Sequence, residues 1–134
     1  MIDLYYVLRD YIKNENYTYS FNDYDENLEN SIGLIFRDGL NQYRDLSTGL
    51  SINECLRVQI VGIAGKTKNS IVSMNSYLQE VKEKLEILNN KTLLSDDGEH
   101  QVFVISTEVS NINYLGKNKQ EVATYSLNGM IIYK

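Results

Sequence analysis

The stretch from Ser70 to Leu88, SIVSMNSYLQEVKEKLEIL, constrains the fold more than any other. Ile71, Met74, Leu78, Val81, Leu85 and Leu88 recur with gaps of 3, 4, 3, 4 and 3, the period of an α-helix. Gln79, Glu80, Lys82, Glu83, Lys84 and Glu86 fill the other faces. An amphipathic helix this regular must bury its stripe against something. Three runs rich in β-branched and aromatic residues are available to cover it: Cys55 to Ala64, Gln101 to Val109 and Glu121 to Tyr133. The expected core is therefore one helix lying across a sheet.

The rest of the chain supplies further elements. Met1 to Asn14 places Leu4, Leu8 and Tyr11 on one helical line and Tyr5, Leu8 and Ile12 on another. Tyr17, Tyr19 and Phe21 alternate with Thr18, Ser20 and Asn22, as in a half-buried strand. Asp23 to Asn30 reads as an acidic loop, and Ser31 to Arg37 as a strand with Gly33 at a bulge or close approach. Asp38 to Asn53 reads as a long polar loop, of the kind that is usually functional or mobile. In Cys55 to Ala64, Leu56, Val58, Ile60 and Gly62 share one face, and Arg57, Gln59, Val61 and Ile63 the other.

Thr67, Asn69 and Ser70 are the candidate N-caps of the long helix, and Asn89-Asn90 its stop. Lys91 to Gly98 carries the turn signal Asp96-Asp97-Gly98, His100 to Ser110 reads as a strand, and Asn111 to Gln120 as a loop around Gly116. The final strand, Glu121 to Tyr133, is expected to turn Val122, Tyr125 (after a one-residue slip), Leu127, Met130 and Ile132 inward, with Asn128-Gly129 a turn or a bulge inside it. The expected order is α-β-β-β-α-β-β, with the last two strands paired antiparallel. That is an α+β arrangement with a mostly antiparallel sheet.

A chain of 134 residues fits a single domain spanning residues 1–134. The net charge of −5, with no clustered basic patch, argues against nucleic-acid backbone as a default ligand. One cysteine, Cys55, precludes an internal disulfide. No run of 18 apolar residues and no basic n-region followed by an apolar stretch is present, so neither a membrane span nor a signal peptide is expected. Eleven tyrosines and no tryptophan suit half-buried surfaces and interfaces. The AT-rich codons of Tyr, Asn, Lys and Ile offer a compositional explanation of equal weight.

Each chemical motif is incomplete. Gly62 to Thr67 sits between strand and helix as a phosphate-binding loop does, but the glycine needed five positions before Gly65 is Ile60. Asp23 to Asn27 starts like a calcium loop, yet Leu28 and Leu34 stand where that loop needs Gly and Glu. His100 and Cys55 are the only residues of their kinds, too few for a structural zinc set and without a marked orienting group for catalysis. The reading therefore assigns no catalytic, cofactor-binding or metal-ligating residue and expects no enzyme and no cofactor. Open strand edges, the tyrosine-rich N-terminal third and the long Asp38–Asn53 loop remain as surfaces for contact with copies of the chain.

The order of elements and some local wording do resemble a known family. A short N-terminal helix precedes a strand. A loop with Tyr43-Arg44-Asp45 leads into Leu56-Arg57-Val58-Gln59-Ile60-Val61. The helix with Tyr77-Leu78 and Val81 follows, then Val102-Phe103-Val104-Ile105 and a last strand from Tyr125 to Tyr133. On these features the chain resembles the tail terminator and minor capsid proteins of tailed bacteriophages of low-GC Gram-positive hosts. The resemblance implies a structural virion protein of the neck, made in the host cytoplasm. It implies a homo-oligomeric, typically hexameric, ring that caps the tail tube in tail assembly. The implied partners are the tail tube protein and the head–tail connector protein, with the tail sheath a further candidate. DNA would pass through the lumen without specific binding, and no membrane is involved. A head–tail connector or stopper, and a small cellular binding module, are the alternatives.

Overall fold

The computed structural model describes residues 2–38, 43–44 and 51–134, with 38, 43–44 and 51–53 as backbone only. Two helices, α1 (Ile2–Ile12) and α2 (Lys68–Glu86), pack on one face of a mostly antiparallel sheet. The strands are β1 (Thr18–Phe21), β2 (Ser31–Asp38), β3 (Tyr43–Arg44), β4 (Ser51–Ile63), β5 (Lys91–Leu94), β6 (Gln101–Val109), β7 (Asn113–Lys117) and β8 (Ala123–Tyr133). Across the sheet they run β1-β2-β4-β8-β6-β5, with β3 beside β4 and β7 beside β8. The β1–β2 pair is parallel and the others antiparallel. The architecture is thus α+β.

The long helix forms where its period places it. Thr67 is the N-cap, its hydroxyl accepting from the Ser70 N–H at 3.1 Å. Met74, Leu78, Val81, Leu85 and Leu88 are buried, and Ile71 packs partly against them. Each fully buried side chain of this size contributes about 1.5–3 kcal/mol. Tyr77, off the apolar stripe, is buried as well. The helix crosses β4 at Gly62, where an added Cβ would lie 2.6 Å from the Met74 sulfur. After it, Asn90 takes a left-handed φ of 57°, which an asparagine tolerates better than most residues.

The central strand keeps its expected alternation. Leu56, Val58 and Ile60 join the helix-side core, while Val61, Ile63 and Val122 form a small apolar cluster on the other face, with Ile35 against it. A crossover covers that second cluster. Because β1 and β2 are parallel, residues 22–30 must carry the chain back along the sheet. They pass over the helix-free face at Gly33, where a Cβ would meet the Asp23 carbonyl oxygen at 2.5 Å. Asn118, in the β7–β8 turn, holds the crossover by donating to the Glu26 carbonyl at 2.8 Å. The close approach expected at Gly33 is therefore present.

Several expectations need correction. Residues 91–94, to which sequence reading assigns no strand, form the edge strand β5 ahead of the expected turn at Asp96–Gly98, and residues 113–117 form β7 rather than a loop. Part of the expected 38–53 loop is strand: Tyr43–Arg44 pairs with β4, which begins at Ser51. The remainder of that loop lies outside the described residues. In β8 no slip or bulge occurs. Its pairing with β4 is continuous from Glu54↔Tyr133 to Ile63↔Thr124, which turns Ile131 and Tyr133 inward instead of Met130 and Ile132. Val122 lies before the strand, in the small cluster of the helix-free face. The irregularities sit in the partners of β8, in β7 between Tyr114 and Gly116 and in β6 between Val104 and Ser106, and the one in β6 matters for the core. It resets the alternation, so that Val102 and Val104 and then Thr107 and Val109 face the helices.

Candidate assembly surfaces

The side chains that hinted at chemistry are taken up in structural contacts. In the Gly62–Thr67 turn, the Lys66 N–H donates to the Glu29 carboxylate at 2.9 Å, occupying a donor that a phosphate would need. The acidic crossover folds its carboxylates onto its own backbone. Asp23 accepts from the Tyr24 N–H at 2.8 Å and Asp25 from the Asn27 N–H at 2.9 Å. Cys55 is buried on the helix-free side of β4, where burial and then the Glu108 charge push its thiol pKa up. His100 stacks on Tyr6 of α1, ring centroids 4.5 Å apart, on the opposite side of the sheet. The structure thus does not bring the cysteine and the histidine together.

It does gather Asp3, Asp97 and Glu99 around His100, a grouping that sequence spacing could not reveal because Asp3 comes from α1. The ligand atoms of Asp97, Glu99 and His100 lie within 4.8 Å of one another. Asp97 already accepts from the Ser95 hydroxyl at 2.5 Å and the Glu99 N–H at 2.9 Å. Those bonds, the Ser95 hydroxyl foremost, hold its carboxyl below the usual range. His100 Nδ1 is 2.5 Å from Asp3 Oδ1. With one imidazole and exposed carboxylates committed to a turn, the group falls short of the closed four-ligand set of a structural zinc site.

Tyrosines tie the N-terminal third together. The Asn14 N–H donates to the Tyr19 hydroxyl at 2.7 Å, and Tyr77 donates to the Ile12 carbonyl at 3.0 Å. The two hydroxyls are 2.7 Å apart, completing a relay that caps the end of α1. Burial, and next the Tyr19 hydroxyl, raise the Tyr77 pKa far above the ordinary phenol value. Beside this relay lies a groove of about 580 Å³, bordered by Arg9, Lys13, Glu15, Asn16, Tyr17 and Tyr19.

The remaining surfaces belong to the sheet. On the helix-free face, Arg37 and Arg57 are cross-strand neighbours beside Gln59 and Asn128, around a hollow of about 290 Å³. Among the described residues, no backbone hydrogen bond crosses the outer edge of β1 or of β7. On β7, Tyr114 is 57 % and Leu115 54 % exposed. An unpaired edge with large apolar side chains is a template for another strand.

No protein-family model matches the chain, and no curated protein matches it. Among the described residues, no helix is long and apolar enough to cross a membrane.

Proposed function

We propose that this chain is a structural virion protein, a tail terminator whose copies form a ring, hexameric in the resembled family, on the end of a phage tail tube. The observation that carries this reading is a helix-backed sheet whose open edges differ, those of β1 and β7 among them. A ring needs a heterologous interface, in which one surface of each subunit meets a different surface of the next. The element order that carries the resemblance, one long helix following the central strand, supports the same reading. So does the engagement of His100, Asp97 and the Gly62–Thr67 turn in local structure, which leaves association as the role best served. The net charge of −5 suits a lumen through which DNA slides without being gripped.

The test is electron microscopy of the purified protein, alone and mixed with tail tubes. Rings with a central hole that cap tubes are expected. Binding to the portal with no affinity for tubes would move the assignment to a connector or stopper. A protomer that forms no ring and binds neither would overturn the proposal.

A further inference from the structure

We infer that the outer edge of β7 in one copy pairs antiparallel with the outer edge of β1 in the next, seating Tyr114 in the tyrosine-lined groove. This inference rests on the ring reading and specifies its interface.

The pairing registers carry the argument. Following partners across the sheet, Tyr19 aligns with Ile32, Gly62, Tyr125 and Tyr114 in one row. Ser20 aligns likewise with Gly33, Val61, Ser126 and Asn113. The two open edges therefore sit level with each other at opposite sides of the same end of the sheet. They are also similar in length, 4 residues in β1 and 5 in β7, one residue of β7 being taken up by the irregularity between Tyr114 and Gly116. Stepping through the pairs, β7 and β1 run in opposite directions, so continuing the sheet into an identically oriented neighbour produces an antiparallel pair.

Side chains agree with the backbone. Tyr125 faces the helices, so its cross-strand partner Tyr114 does too, their rings 5.2 Å apart. Tyr19 also packs on the helix side. A level pairing sets Tyr114 opposite the neighbour's Tyr19, at the groove bordered by Arg9, Lys13 and Tyr17. An aromatic ring entering there meets the Tyr17 and Tyr19 rings beside the ion-paired side chains of Arg9 and Lys13, and ring-on-ring packing favours it. The occupant is a second copy because the groove and the exposed aromatic edge are level features of one chain, on different edges of its sheet, as a heterologous contact requires.

Engineered cysteines test the pairing. Ser20 and Asn113 share the helix-free face and would be directly opposite across the interface. Within one molecule four strand spacings separate them, roughly 19 Å, which forbids an internal disulfide. In a Cys55→Ala background, oxidation of the Ser20→Cys, Asn113→Cys double variant should give a ladder of covalent oligomers ending at the ring. Each single variant should give none. Tyr114→Ala, which removes the exposed ring that the groove would receive, should lose the rings while its thermal melt stays near that of the parent. Rings without a ladder would overturn the edge pairing and leave the ring reading standing. Covalent dimers from Asn113→Cys alone would show β7 pairing with itself and would also overturn it. A parent protein that is monomeric by light scattering at every concentration and forms no rings would remove the ring reading and the interface with it.

Discussion

At the scale of single residues, Gly33 and Tyr77 do what no other side chain could do in their places. A Cβ at position 33 would press on backbone, the Asp23 carbonyl, rather than on a flexible side-chain tip. Gly33→Ala should therefore destabilise the fold by about 1–3 kcal/mol, the usual cost of overpacking. Denaturant titration would measure it, and an unchanged midpoint would mean that the crossover does not rest on β2. Tyr77→Phe removes the hydroxyl that bridges Ile12 and Tyr19. It leaves the Ile12 carbonyl at the end of α1 without that donor, an expected loss of about 1–3 kcal/mol. The spacing of α2 announced its stripe but not Tyr77, because a tyrosine off the stripe is ordinarily a wet residue. Only the arrival of Tyr17, Tyr19 and the end of α1 buries it.

At the scale of elements, α1 ties the chain's beginning to the β5–β6 turn. The Asp10 carboxylate accepts from the Asp96 N–H at 2.8 Å and pairs with Arg9 at 3.1 Å, while Lys13 bridges to Asp96. Burial pushes the Asp10 pKa up, but the Asp96 N–H, Arg9 and Lys13 outweigh it and hold the carboxyl below its ordinary value. A depressed carboxylate stabilises the fold above its unfolded pKa, and that stability is lost as pH falls through the folded pKa. Stability should thus fall as pH drops below the ordinary carboxylate range. Asp10→Asn should flatten that part of the profile while costing roughly 1.5–3 kcal/mol at neutral pH. Equilibrium unfolding of both proteins across acid pH would decide it.

The elements that escaped sequence reading share one cause. Lys91–Leu94 has one buried residue, Leu93, too little for a visible alternation, and Asn113–Lys117 is rich in Asn, Gly and Lys. Both are strands because a long neighbour, β6 or β8, supplies hydrogen bonds that override local preference. β4, buried in its centre on both faces, was legible from its composition. The slip expected before Tyr125 came from counting Val122 into the strand, and Met130 and Ile132 were expected inward because Asn128-Gly129 reads as a turn or bulge. Between two paired neighbours, that dipeptide stays extended. The grouping of Asp3 with His100 was invisible for a different reason, since 97 residues separate them.

At the scale of the whole molecule, a set of phenols is kept protonated by folding. Burial raises the pKa values of Tyr11, Tyr17, Tyr19 and Tyr77, and burial followed by Glu54 and Asp3 pushes Tyr133 up to about 12. Groups raised in the folded state contribute stability that is fully present below the unfolded phenol pKa and lost as pH climbs through the folded one. The protein should therefore lose stability from the ordinary phenol range up toward 12. Tyrosinate absorbance followed together with circular dichroism would check this: ionisation of the buried set should coincide with unfolding rather than precede it.

The crossover over Gly33 has a consequence for how the polypeptide could be divided. Its Asp25–Asn30 stretch is exposed on the outer surface, yet what precedes it is held by the interior through Leu4, Leu8 and Ile12. A protease nick there should leave two fragments that stay associated and co-elute. Separately expressed pieces cut at the same point should recombine in solution, and the larger piece alone should be the one that aggregates.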